Sequence, residues 1–205
     1  MNPFKELYEE LREKYGSPAG QWVLWCKRPK DEAEREEVAI GAILTQRTNW
    51  QNVLLALKNL EKTGGKSLKA ILALKPSLLA PLIRPSGFYQ AKAVYLSLLA
   101  EFILKNYGSL EKAKSEETQK LRKELLGLKG IGPETADSIL LYALDKPVFV
   151  IDEYTRRLVQ RRKLESNLSY NYLQRLFEKH LQTDFGLYQD FHALIVIDGK
   201  NTKRG

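Results

Sequence analysis

The sequence predicts an all-α fold. Almost every segment carries apolar residues at the helical period of about 3.6 residues, candidate caps recur at segment starts, and only Val148–Ile151 has the character of a strand. Internal repeats and low-complexity tracts are missing, so each element is read on its own. At 205 residues the chain can bury one good core or two small lobes.

Asn2 and Pro3 read as the cap and first residue of a helix facing inward with Phe4, Leu7, Tyr8, Leu11 and Tyr15, and Gly16 stops it. Residues 18–29 read as a loop with two of the three tryptophans. Trp22 and Trp25 there fit either packing or a pocket wall. The charged run Asp31–Glu37 opens a helix with core residues Val38, Ile40, Ala42 and Ile43, its acids suiting a helix start and a solvated face. That helix ends at Leu44–Gln46. Thr48 or Asn49 caps the next, which turns Val53, Leu54, Leu57 and Leu60 inward before Gly64–Gly65 breaks it. Short helices start at Ser67 and Pro76, the second limited by Pro81, and residues 85–88 form a turn. A long helix from Ala91 to Tyr107 is expected to bury Val94, Leu98, Phe102 and Ile103. Ser115 is the expected cap of the helix ending at Leu125 and Leu126; Glu134 stands at the start of the next. Asp152 precedes a helix over Glu153–Lys163, Ser169 one reaching about Leu181, and Asp184 or Gly186 opens the last.

Lys and Arg number 33 against 25 Asp and Glu, a net charge of +8 that suits a polyanionic partner. Cys26 is the only cysteine, so an internal disulfide and a cysteine-rich zinc or iron–sulfur site are both excluded. His180 and His192 are too few for a catalytic zinc centre, and His192 reads as a packed or hydrogen-bonded helix residue. No apolar run approaches the ~20 residues of a membrane span, and the first residues lack a signal-peptide core. A cytoplasmic protein is expected. The Lys/Glu-rich, Cys/Met-poor composition leans towards a thermophile.

Gly130 and Gly132 flank Ile131 between two helical patterns. Two glycines around one apolar residue allow a tight turn in which the side chain anchors inward and the backbone amides face out. At the start of a helix, such amides favour an anion. A hairpin of this kind grips a nucleic-acid phosphate without reading a base.

Leu128–Asp137, Val150–Arg156, Gly41–Gln46 and Ile83–Ala93 together resemble the helix–hairpin–helix DNA glycosylases of the endonuclease III superfamily, a likeness running from about Ala33 to the C-terminus. The resemblance implies a two-lobed fold, with residues 29–144 as a six-helix barrel lobe and residues 1–28 with 145–205 as the second, and DNA held in the cleft between them. It places the essential aspartate on Asp152, 18 residues after Glu134. Bond breakage at the sugar builds positive charge, which a carboxylate kept ionised at a helix start stabilises. Members that also cut the strand carry a lysine where this chain has Glu134, and glutamate cannot form a Schiff base. The resemblance therefore implies a monofunctional enzyme using water.

The cluster-free hairpin and the order Gly41–Trp50 look most like the 3-methyladenine DNA glycosylase III branch. That likeness implies a base pocket of Trp50, Trp22, Trp25 and Glu134, though Trp50 also fits a core. An alkylated purine is cationic, so indole faces would favour it by on the order of 1–2 kcal/mol. Another lesion or mismatch (uracil, T:G, A:8-oxoguanine) with the same Asp152, or weak lyase activity, is the alternative. Gln46 matches the residue filling the space left by a flipped nucleotide and Phe88 an apolar wedge. Gly130, Gly132, Lys129 and, from a basic run, Arg156 and Arg157 are the expected DNA contacts. The family hairpin also implies a monovalent cation, Na+ or K+, on the carbonyls of Leu126, Leu128 and Ile131, with no other cofactor and no iron–sulfur cluster. The expected partner of this monomer is duplex DNA carrying a damaged base, with no membrane.

Overall fold

Polar side chains that accept backbone amides decide where most helices begin. Asn2, Asp31, Asn49, Ser67, Ser109, Asp152 and Asp184 each take an amide in the first turn of the helix they precede, and Asp31 closes a capping box with Glu34. The computed structural model describes residues 2–202, and all regular structure among them is helical. No helix among the described residues is long and apolar enough to cross a membrane. The chain divides into two compact units, Met1–Arg28 with Asp145–Gly205, and Pro29–Leu144.

The first unit holds α1 (Pro3–Tyr15), α2 (Trp22–Trp25), α11 (Glu153–Arg161), α12 (Tyr170–His180) and α13 (Phe185–Asn201). Its core is aromatic: Phe149 stacks on Phe177 at 4.4 Å between centroids, with Phe4, Tyr188 and Phe191 around them. The strand-like Val148–Ile151 is extended and buried but pairs with no strand. Side chains of α12 satisfy it instead, Glu178 accepting the Phe149 amide at 2.9 Å and Gln174 donating to its carbonyl at 2.8 Å. The segment expected to be a loop contains the single helical turn α2, which buries both tryptophans. Asp198 of α13 accepts from Lys14 at 3.1 Å, from Tyr15 at 2.9 Å and from Arg161, fastening α1, α11 and α13. Gly199 makes that packing close: a Cβ there would enter the Tyr154 ring.

The second unit is built on α3 (Glu32–Leu44), buried continuously from Val38 to Leu44. Around it come α4 (Trp50–Glu61), α5 (Leu68–Ala73), α6 (Pro76–Leu82), α7 (Tyr89–Asn106), α8 (Leu110–Ala113), α9 (Thr118–Leu126) and α10 (Pro133–Ser138), the last running on as a π-helical turn Ile139–Ala143. The charged start of α3 is more than a solvated face. Glu32 caps α8 through the amides of Leu110 and Glu111 at 2.8 Å each; buried Arg35 reaches the Ala143 carbonyl at 2.7 Å. Glu36 accepts the Leu68 amide, and burial pushes its carboxyl up.

Two expectations need correcting. The buried face of α7 is Lys92, Ala93, Leu96, Leu99, Ala100 and Ile103; Val94 is exposed and Leu98 and Phe102 are half-buried. This helix is apolar on several sides, and packing by α3, α5 and α6 chooses the face. Ser115 does not open α9: its hydroxyl donates to the Lys112 carbonyl at the end of α8, which Ser109 caps, and Glu117 opens α9.

Candidate active site

Asp152 emerges from the buried extended segment as the N-cap of α11. Its Oδ1 is taken by the Thr155 amide at 2.7 Å and hydroxyl at 2.9 Å. Its Oδ2 faces His192 Nε2 at 3.5 Å, and the side chain is 13% exposed. Burial alone would push the carboxyl up; the His192 imidazole and the two Thr155 donors outweigh it and hold Asp152 below the ordinary aspartate value. The carboxylate is therefore ionised at neutral pH, with one oxygen committed to the cap and the other turned to His192.

Trp22 packs its ring at 88° against His192, 5.8 Å between centroids, and Trp25 lies edge-on behind Trp22 at 5.7 Å. Both indoles are 4% exposed, as core residues are. Of the two, Trp22 is the one that reaches the Asp152–His192 pair. Lys200, exposed near the end of α13, lies within range of the Asp152 charge and donates to Gln21 at 3.4 Å. The sequence pattern did not single out Lys200, because its proximity to Asp152 is set by how α13 packs on α11. The basic run is tied down within this unit. Arg157 pairs with Glu153 at 2.8 Å, Arg161 with Asp198 and Arg162 with Glu10, while Arg156 donates to the Leu168 carbonyl and lies over Tyr170.

The hairpin belongs to the second unit. Ile131 is buried, and Lys129, Gly132 and Glu134 are exposed. Gly130 is required twice over, with φ at +85° and the Tyr95 ring where a Cβ would sit. Gly132 is under no such constraint: its φ is −89° and a Cβ would meet nothing of the protein. Fully buried Asp137 accepts from Arg122 Nε and Nη2 at 2.6 and 2.9 Å, clamping α9 to α10. Gln46 donates to the Gly130 carbonyl at 2.9 Å and to the Thr135 hydroxyl at 3.0 Å, so its amide braces the hairpin. Trp50 is the half-buried first residue of α4, and Phe88, 64% exposed, is the N-cap of α7.

Residues 40–183 match the HhH-GPD superfamily of base excision DNA repair proteins. The chain belongs to this superfamily. It is a DNA N-glycosylase with an all-helical helix–hairpin–helix fold. A Methanocaldococcus jannaschii protein carrying the provisional name of DNA repair glycosylase is 46% identical over 165 residues, 79% of this chain and 75% of its own length. The endonuclease III of Sulfolobus acidocaldarius is 27% identical over 98% of this chain and 88% of its own. The crystal structure of the Helicobacter pylori 3-methyladenine DNA glycosylase MagIII, bound to 1,N6-ethenoadenine, superposes with a TM-score of 0.80 at 33% identity, covering both chains completely.

Proposed function

We propose that the enzyme hydrolyses the N-glycosidic bond of alkylated purines, 3-methyladenine above all, in duplex DNA and leaves the abasic strand intact. The observation carrying this reading is Asp152: a carboxylate held ionised at a helix start, with one oxygen presented beside an imidazole and an indole. In the mechanism, base departure builds positive charge on the sugar, the Asp152 carboxylate stabilises it, and water completes the displacement. An alkylated purine is a good leaving group, so no strong general acid is needed. The indole of Trp22, packed beside the Asp152–His192 pair, would favour its charge, and the resemblance to a 3-methyladenine glycosylase over the whole chain supports that substrate class.

Glu134 stands where strand-cutting relatives carry a lysine, which supports a water nucleophile. The hairpin would bind the backbone: nothing in the fold requires glycine at position 132, while close approach of a phosphate to the backbone does. Lys129 and Arg156 would add charge, and Arg157 would do so by exchanging its exposed pair with Glu153 for a phosphate. The same reading puts a monovalent cation on the carbonyls of Leu126, Leu128 and Ile131. Leu128 accepts the Ile131 amide at 3.1 Å, and a carbonyl with two lone pairs keeps one for an ion.

The second reading is weak lyase chemistry at the abasic product, for which Lys200, an exposed amine within range of the Asp152 charge, is the candidate nucleophile.

Single-turnover incubation of methylated duplex with the wild type and Asp152→Asn tests both readings. Asp152→Asn should slow base release by about 100-fold or more; an unchanged rate sinks the assignment. Strands should break only after alkali. Enzyme trapped on DNA by borohydride, and lost in Lys200→Ala, would replace the monofunctional reading with the lyase one.

A further inference from the structure

Two residues of the second unit other than glycine, Arg47 and Phe88, share an uncommon backbone conformation. Their φ angles are +52° and +47°, in the left-handed region that side chains disfavour. Strain of this kind persists where the surroundings over-determine it. Here the determinant is Lys92, 1% exposed, whose ammonium donates to the carbonyls of Leu44 at 2.8 Å and Ser86 at 2.7 Å. Those carbonyls lead directly into the two corners, Leu44 into Thr45–Arg47 and Ser86 into Gly87–Phe88. One buried side chain thus fixes both loops from beneath. Above it the two side chains are exposed and meet, the Arg47 guanidinium lying over the Phe88 ring at 5.9 Å. Gln46, adjacent to Arg47, spends its amide on the hairpin instead.

We infer that Arg47 and Phe88 enter the duplex as one unit braced by Lys92, with Arg47 reading the base left unpaired opposite the lesion. The inference rests on the glycosylase reading of Phe88 as a wedge, and extends it to a residue that sets specificity. Guanidinium is a donor with no acceptor. On the pairing edge an orphaned cytosine or thymine offers two acceptors, adenine or guanine one. A donor-only probe therefore favours a pyrimidine, which is what stands opposite a damaged purine. Phe88 supplies the flat surface that replaces the lost stacking, and its contact with Arg47 keeps the guanidinium from folding back into water.

The test is binding of four duplexes that carry a stable abasic analogue opposite C, T, A or G, with an undamaged duplex as reference. Base release is not involved, so failure of the alkylpurine reading leaves this test intact. The wild type should prefer the pyrimidine duplexes by roughly five-fold or more. Arg47→Ala should abolish that preference while retaining binding to undamaged DNA through the hairpin. Phe88→Ala should weaken all four abasic complexes, and adding Arg47→Ala to it should cost less than in the wild type. Lys92→Met should reduce the opposite-base preference without touching DNA; if it does not fold, the two exposed variants still decide. Equal affinity for the four duplexes in the wild type, or an unchanged preference in Arg47→Ala, overturns the inference.

Discussion

At Asp152 the two carboxylate oxygens have different work. Oδ1 belongs to the helix cap, Oδ2 to His192, and both sets of contacts favour the charged form over burial. A carboxyl held below its ordinary value contributes stability above that value and loses it as pH falls through the folded-state pKa. Catalysis needing the same anion loses its acid limb at the same point. His192→Gln removes the imidazole that favours the ionised form of Asp152, so the acid limb of single-turnover base release should move to higher pH. An acid limb that stays in place would show that His192 only packs. Asp152 was legible in the sequence because a cap, an apolar run and a hairpin share a fixed spacing. His192 was legible only as a packed or bonded helix residue, since the α11–α13 approach that brings it to Asp152 depends on Gly199 and Tyr154.

Among the elements, the hairpin separates two uses of glycine. Gly130 is needed by the fold, so Gly130→Ala should destabilise the protein by roughly 2 kcal/mol or more through strain and the clash with Tyr95. Gly132 is needed by no protein contact, so Gly132→Ala should change stability by less than about 0.5 kcal/mol and weaken binding to any duplex several-fold. Denaturant unfolding and DNA titration of the two variants check this; loss of stability in Gly132→Ala with normal binding would remove the hairpin from the interface. Helix starts were readable because their caps are local, as at Asn2, Ser67 and Asp184. The face of α7 was not, because an apolar helix leaves the choice to its neighbours. Val148–Ile151 has a strand's composition, yet α12 side chains satisfy its backbone, a tertiary fact beyond any local pattern.

For the whole molecule, a charge of +8 does not translate into eight free phosphate contacts. Arg157, Arg161 and Arg162 are held in ion pairs and Lys92 serves as a buried strut, while Arg47 and Lys129 are exposed at the loops of the second unit. Charge composition pointed to a nucleic acid; only the structure tells which cations the fold itself uses. Helix–hairpin–helix membership rests on motifs spread through the chain, and the base released rests on aromatic residues whose packing and binding uses look alike in sequence. Identifying the released base therefore tests the account most directly. Methylated DNA and defined uracil, T:G and A:8-oxoguanine duplexes would be incubated with the enzyme and the free bases separated. 3-Methyladenine should be released from the methylated substrate and little from the other three. Release confined to a deaminated or mismatched base would contradict the alkylpurine reading.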